Sequence, residues 1–210
     1  MTKSINDYGD EQDLIARLIA GDDRTFCIII KRYQHLMLTI SRAIVGDTFA
    51  EDAVQDAWIA IHKNIEKFEQ RSSLKTWILT ITSNEAKARL RRESRKISLD
   101  ELDGETPGSY LDNAQFKSDG HWNSAIPIWR SESPDALMEE KQLQHCINKT
   151  LNILPPAQKA AFILRELEQE SFEVICDVLQ VSAANVRVLL HRARLTLMQM
   201  IDRYQETGSC

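Results

Sequence analysis

The chain has 210 residues, 43% of them hydrophobic, and a formal charge of −5 from 26 Lys and Arg against 31 Asp and Glu. That size and composition suit one or two folded domains and exclude a fibrous or wholly disordered chain. No apolar run approaches membrane-spanning length, and the opening MTKSINDYGDEQD lacks the apolar core of a signal peptide, so a cytoplasmic protein without membrane insertion is expected.

The total charge hides its distribution. Residues 84–97 hold six Lys/Arg against two acids, and residues 183–198 hold three Arg and no acid. Residues 98–140 hold ten acids against two bases. Local patches govern contact with phosphate, so two basic spots separated by an acidic connector leave nucleic-acid binding open. The four cysteines, Cys27, Cys146, Cys176 and Cys210, form no CxxC pair. Cys27, Cys146 and Cys176 sit in apolar helical contexts and read as small, reduced core residues. His145 and Cys146 point about 100° apart on a helix and make a poor chelate, so no metal site and no cofactor is expected.

In chain order, EQDLIARLIA (11–20) reads as a short amphipathic helix stopped by Gly21. Residues 22–44 give a second helix with a wide apolar stripe of Phe26, Ile29, Ile30, Tyr33, Leu36, Met37 and Ile40, broken at Gly46-Asp47. Residues 49–66 give a third, with Ala53, Ala57, Ile61 and Ile65 at spacing four and an acidic opposite face of Glu51, Asp52, Gln55 and Asp56. An acidic helical face is ordinarily a solvated face. After the polar loop KFEQRSS (67–73), Ser73 or Ser72 caps a fourth helix over 74–95. That helix starts apolar, with Trp77, Ile78 and Ile81, and ends in the basic LRRESRK.

Residues 97–134 are rich in Gly, Pro, Ser, Asn and Asp with no sustained period, as in a linker between domains. Within them His121, Trp122, Ile126 and Trp129 form an apolar island, of the kind that docks on a surface. Helical periodicity resumes at 135–152 with Leu137, Leu143, Ile147 and Leu151. Pro155-Pro156 break it and can start the next helix, 156–168.

Residues 171–198 read as a helix-turn-helix. Phe172, Ile175, Val178 and Leu179 mark one face of a first helix capped by Ser171, with Glu173 in its first turn where the helix dipole favours an anion. A break at Gln180-Val181-Ser182 precedes a second helix, capped by Ser182, whose apolar face is Val186, Leu190, Ala193 and Leu197. Its flanks and far side carry Arg187, His191, Arg192 and Arg194. A helix with an apolar back and a basic front, held across a tight turn from another, can enter a major groove. Generic helical hairpins with a solvated basic face are commoner, so the rest of the chain must decide.

The fold class is therefore all-α: a four-helix N-terminal domain over 1–96, an acidic linker over 97–134, and a four-helix domain over 135–210. The chain resembles the extracytoplasmic-function sigma factors, a class of bacterial transcription initiation subunits. The N-terminal likeness rests on AEDAVQDAW (50–58), SSLKTWILTITSN (72–84) and LRR (90–92). The C-terminal likeness rests on LPPAQKAAFILRELEQESFEVI (154–175) and NVRVLLHRARLTL (185–197).

The resemblance implies two domains, sigma regions 2 and 4, that bind core RNA polymerase and read a bipartite promoter. By matching position, Asp52, Gln55 and Asp56 dock on the coiled coil of the polymerase's largest subunit. The loop 67–74 with Lys75, Trp77 and Asn84 melts the −10 element and captures a flipped base, while Lys87, Arg91 and Arg92 hold phosphates. The helix 183–198 reads the −35 element through Ala184, Asn185, Arg187, Val188, His191, Arg192 and Arg194, and the same domain touches the polymerase flap. An anti-sigma factor is the further partner the resemblance implies. Gln180 stands where the turn usually has Gly, and Val188, Leu189 and Leu195 are apolar where polar or charged residues are usual. Two rival functions follow other lines. An enzyme would need a Gly-rich phosphate loop, a nucleophile elbow or paired metal ligands, and the sequence has none. A stand-alone helix-turn-helix regulator would bind operator DNA without polymerase and leaves the N-terminal motifs unexplained.

Overall fold

The computed structural model describes residues 11–97 and 134–210; side chains 95–97 and 134–140 are outside the description. The linker and its island of His121, Trp122, Ile126 and Trp129 therefore lie outside the described residues. Eight α-helices and no strand occur among those that are described. The chain forms two compact units, the first running to Ser94 and taking in Asp177–Gln180 as well.

The first unit contains α1 (Glu11–Ile19), α2 (Asp23–Val45), α3 (Asp47–Asn64) and α4 (Leu74–Ile97). Each start has a physical cause. Asp22 caps α2, its carboxylate accepting from Arg24 N at 3.0 Å and from the Thr25 hydroxyl at 2.7 Å. Ser73 caps α4, accepting from Thr76 N at 3.1 Å, and Leu74 N donates to Glu11 Oε1 at 3.2 Å, which ties α4's start to α1. Gly46 alone separates α2 from α3. Its φ of +81° makes the sharp reversal that a side chain would strain. The stripe on α2 is the core: Ile29, Met37 and Ile40 are completely buried, and Tyr33 nearly so. Against it α3 presents Ala50, Ala53, Ala57 and Ile61, all fully buried. Three alanines on that face let the two helices approach closely, and each buried Ile or Met contributes about 1.5–3 kcal/mol. After α3 a single 3-10 turn (Ile65–Lys67) leads into the loop before α4.

The second unit contains α5 (Pro134–Ile153), α6 (Pro156–Phe162), α7 (Phe172–Leu179) as far as Cys176, and α8 (Ala183–Thr207). Pro156 at the first position of α6 fits the missing N–H and fixed φ of proline. The predicted helix 156–168 changes type partway. Residues Ile163–Leu167 form a π turn, with Glu168 N donating to Ile163 O at 3.0 Å. Ser171 Oγ accepts from Val174 N, and Ser182 Oγ from Asn185 N, each at 3.3 Å, so both predicted caps are used. The apolar face predicted for α8 is the core: Val186, Leu190 and Ala193 are at most 1% exposed.

The sequence reading ended the last helix at 198, whereas α8 runs to Thr207. Met200, Ile201 and Tyr204 continue its apolar face and pack with Leu197 against Ile147, Leu151 and Cys146 of α5. Gly208, with φ +67°, ends it by donating its N–H to Tyr204 O at 2.8 Å. The cysteine expectations need correction. Cys146 is buried but not reduced, forming a disulfide with Cys210, and Cys27 is exposed. These contacts reach beyond the helical periodicity that located Cys146.

Candidate functional site

Three surfaces carry the predicted residues. The first is the acidic face of α3. Asp52 and Gln55 are exposed and Asp56 half-buried, one turn apart, because Ala53, Val54 and Ala57 take the opposite face into the core. Both acids meet cations from α4. Arg89 Nη2 lies 2.9 Å from Asp52 Oδ2, and Arg92 Nη2 lies 3.4 Å from Asp56 Oδ2. Arg89 also reaches Glu93 at 3.2 Å and stacks 5.1 Å from the Phe49 ring centroid. Arg92, expected on phosphates, is thus engaged by an acid of the face expected to meet protein. An ion pair as exposed as Arg92–Asp56 is worth about 0–1 kcal/mol, so an incoming partner can displace it at little cost.

The second surface is a pocket of about 380 Å³ lined by Ala60, Asn64 and Lys67 on one side and Trp77, Ile81, Asn84 and Glu85 on the other. Trp77, Ile81 and Asn84 follow each other at helical spacing on one face of α4, and Phe68 braces the Trp77 ring with centroids 4.9 Å apart. Asn64 Nδ2 donates to Ala60 O at 2.8 Å, which leaves its amide oxygen directed away from that bond. The pocket offers an aromatic wall, amide donors and acceptors, and one cation. Its volume is in the range of small-ligand clefts, about 300–1,000 Å³, and a flat heterocycle can recover unstacking free energy there by stacking and edge hydrogen bonds. The structure brings Trp77 and Asn84 together as expected. It does not bring Lys75 into the lining, where Lys67 supplies the cation. Lys87 is half-buried on α4 and Arg91 exposed. Asn64 and Glu85 lie outside the expected set, while Lys67 is the first residue of the expected loop 67–74. Asn64 and Lys67 belong to another helix and the turn after it, and only tertiary structure places them beside Trp77.

The third surface is the exposed side of α8. The axes of α7 and α8 are bent by 97°, within the helix-turn-helix range of about 90–120°. Gln180 makes that turn with φ +55°, and its side-chain amide donates to Asp177 O at 2.6 Å. Ala184, Asn185, Arg187, Val188 and Arg192 are exposed, and His191 is half-buried. Val188 is 44% exposed, so this face has an apolar element flanked by cations. Arg187 lies 5.9 Å from the Phe172 ring centroid and Arg165 4.9 Å from the same ring. Arg165, from the π turn, was missed because it precedes the motif in sequence.

Arg194 is the correction. It is 5% exposed, and its Nε donates to Glu166 Oε1 at 3.1 Å, with Nη2 on the same oxygen. Arg194 points about 100° away from the fully buried Ala193 around α8 and meets Glu166 of the π turn. In this arrangement its guanidinium is turned inward onto Glu166 and away from the exposed face.

Among the described residues there is no cluster of metal-ligating side chains, and no single helix is long and apolar enough to cross a membrane.

Comparison with known proteins gives these surfaces a context. Residues 29–96 match the family Sigma-70 region 2, and residues 144–197 match Sigma-70, region 4. The first match contains the α3 face and the pocket; the second contains the helix-turn-helix. A probable RNA polymerase sigma factor of Haemophilus influenzae is 30% identical over 168 residues, covering 80% of this chain and 84% of that protein. The ECF RNA polymerase sigma-E factor of Escherichia coli is 27% identical over 184 residues, covering 88% and 90%. Among solved structures, the sigma factor RpoE of Bartonella quintana, in complex with the anti-sigma factor NepR, shares the fold at a TM-score of 0.57 and 22% identity, covering 84% of this chain and 96% of that one. With both regions present in order and full-length relatives matched across most of their length, the chain belongs to the extracytoplasmic-function group of the sigma-70 family of RNA polymerase sigma factors.

Proposed function

We propose that this chain is an alternative sigma factor, which binds core RNA polymerase and directs it to specific promoters by reading the −35 duplex and melting the −10 element. The observation that carries this reading is the pair of family regions on one chain, each with a surface suited to its part of the task. The bond-making chemistry of transcription belongs to the polymerase, and the chain contributes binding and strand capture without cofactor. Its place of work is the bacterial cytoplasm, where polymerase and promoter are.

Asp52, Gln55 and Asp56 are the docking face for the largest-subunit coiled coil, with Arg89 and Arg92 holding the two acids until that partner arrives. Trp77 and Asn84, joined by Asn64 and Lys67, take the flipped −10 base in the pocket between α3 and α4. Lys75, Lys87, Arg91 and Arg92 follow the strand backbone. Ala184, Asn185, Arg187, Val188, His191 and Arg192 meet the −35 duplex, Val188 suiting a thymine methyl and Arg187 a guanine or phosphate. An anti-sigma protein that covers the polymerase-binding faces is the expected regulator, and the complex formed by the Bartonella relative supports that reading.

The test is reconstituted transcription with bacterial core polymerase, this chain and a library of promoter-like duplexes. Initiation at defined sequences that requires the chain is the expected outcome. Asp52→Ala with Gln55→Ala should abolish core binding while circular dichroism stays unchanged. Specific duplex retention by the chain alone, with no core binding, would instead identify a stand-alone helix-turn-helix regulator.

A further inference from the structure

The Cys146–Cys210 disulfide joins α5 to the segment after α8, across 64 positions of sequence. The Cα atoms are 5.6 Å apart, inside the separation of about 4.4–6.8 Å at which two cysteines bond without backbone movement. Local structure helps to set that separation. Gly208 turns the chain back at the end of α8, and Ser209 N donates to Thr207 Oγ1 at 3.3 Å. Tyr204 on α8 donates its hydroxyl to Gln142 on α5 at 3.2 Å. The two sulfurs are unequally placed: Cys146 is 3% exposed, whereas Cys210 is an exposed residue.

An open pocket of about 380 Å³ surrounds the bond, lined by Lys141, Gln142, His145, Tyr204, Gly208 and Ser209 besides the two cysteines. Among the described residues, no Asp or Glu side chain contributes to that lining. Lys141, His145 and Lys149 recur every fourth residue, so they share one face of α5 beside Cys146. Lys149 Nζ donates to the backbone oxygen of Cys210 at 3.1 Å, which places this lysine-bearing face against the disulfide. Cations next to a sulfur stabilise its thiolate, the species that exchanges, and they attract a carboxylate-bearing reagent.

We propose that Cys146 and Cys210 form a thiol–disulfide exchange site for an anionic low-molecular-weight disulfide, received in the basic pocket between α5 and the end of α8. The exposed Cys210 thiolate attacks one sulfur of the incoming disulfide, forming a mixed disulfide and releasing one thiolate of the reagent. The Cys146 thiolate then attacks Cys210 Sγ, closing the internal bond and releasing the second thiolate. The two protein thiols lose two electrons and two protons, and the reagent takes up both as two thiols. Reduction runs the same steps backward, with the first attack again on Cys210.

Glutathione disulfide is the probe, with N-ethylmaleimide to trap free thiols and peptide mass spectrometry of the reduced, desalted full-length chain as the readout. The expected product is one cross-linked peptide pair joining Cys146 to Cys210, whose yield follows the ratio of glutathione disulfide to glutathione. In Cys146→Ala, a glutathione adduct accumulates on Cys210 about threefold or more faster than on the exposed Cys27 of the same molecule, the size expected of one or two surface charge pairs. Lys141→Gln with Lys149→Gln removes that excess and slows the uncharged 2-hydroxyethyl disulfide less than glutathione disulfide, because the thiolate effect reaches both reagents and the attraction only the anionic one. Absence of the cross-linked pair in the wild-type chain overturns the proposal, as does a Cys210 rate equal to that of Cys27. An excess that survives the lysine substitutions overturns the assignment of the pocket to an anionic reagent.

Discussion

Arg194 shows how one residue can carry the charge of a DNA contact and do a different job. It is buried and bonded twice to Glu166, whose side chain is 36% exposed. Breaking a buried pair costs about 3–5 kcal/mol because a charge is left behind, and the exposure of Glu166 moderates that figure. Arg194→Ala is therefore expected to lose about 2–4 kcal/mol, read as a lowered urea midpoint. Arg187→Ala, on the exposed side, should leave the midpoint unchanged and weaken duplex binding. Equal midpoints for the two variants would mean that Arg194 does not hold the domain. Asp22 gives a pH signature at the same scale. The Thr25 hydroxyl, with the Arg24 and Thr25 N–H groups, holds its carboxyl below the ordinary value of 3.8. A carboxyl depressed on folding stabilises the fold above its unfolded pKa, and that contribution is lost as pH falls through the folded one. The melting difference between the wild-type chain and Asp22→Ala should be full near neutrality and shrink below about pH 4. A difference independent of pH would remove the charged cap as its cause.

Helices were legible in the sequence wherever apolar period and a cap agreed. Ser73, Ser171 and Ser182 all cap as their sequence positions imply, whereas Asp22, expected inside the second helix, is its cap; the α2 stripe and the α8 back are the cores of their units. What the sequence hid were interactions between distant positions. The Arg89–Asp52 pair spans 37 residues and the Arg194–Glu166 pair spans 28, and helical period says only which side a residue faces, not what it meets there. The same limit explains Asn64 in the pocket. The π turn was hidden for another reason: one extra residue in a helical turn leaves no compositional mark. Gln180 was legible as a departure, and the structure gives it a left-handed φ. A non-glycine residue there costs about 1–2 kcal/mol, while glycine gives back part of this through its more disordered unfolded state. Gln180→Gly should therefore stabilise the helix-turn-helix by up to about 1 kcal/mol, seen as a raised melting temperature. A destabilised variant would mean that the Gln180 amide bond to Asp177 O outweighs the backbone strain.

At the scale of the molecule, the two units differ in what holds them. The first rests on a long apolar seam between α2 and α3, closed by small side chains and dependent on no covalent link. In the second, α5 meets α8 through a modest cluster of Cys146, Leu197 and Met200, with Ile147, Leu151, Phe162, Ile201 and Tyr204 around it. The disulfide closes a loop of 64 positions over that cluster. In the chain-entropy account such a loop adds about 4 kcal/mol by restricting the unfolded chain, and measured values centre on about 2–4 kcal/mol. For a unit of this size that is a shift of roughly 10 °C or more in melting temperature. Reduction with dithiothreitol should therefore accelerate hydrogen exchange at the slowest amides of α5 and α8 and leave those of α2 and α3 as they were. Cys210→Ser should reproduce the reduced behaviour with or without reductant, which separates the bond from any effect of reductant on Cys27 or Cys176. If the α5 and α8 amides exchange equally slowly in both forms, the apolar cluster alone holds the two helices, and the bond at Cys210 constrains only the short segment after Gly208.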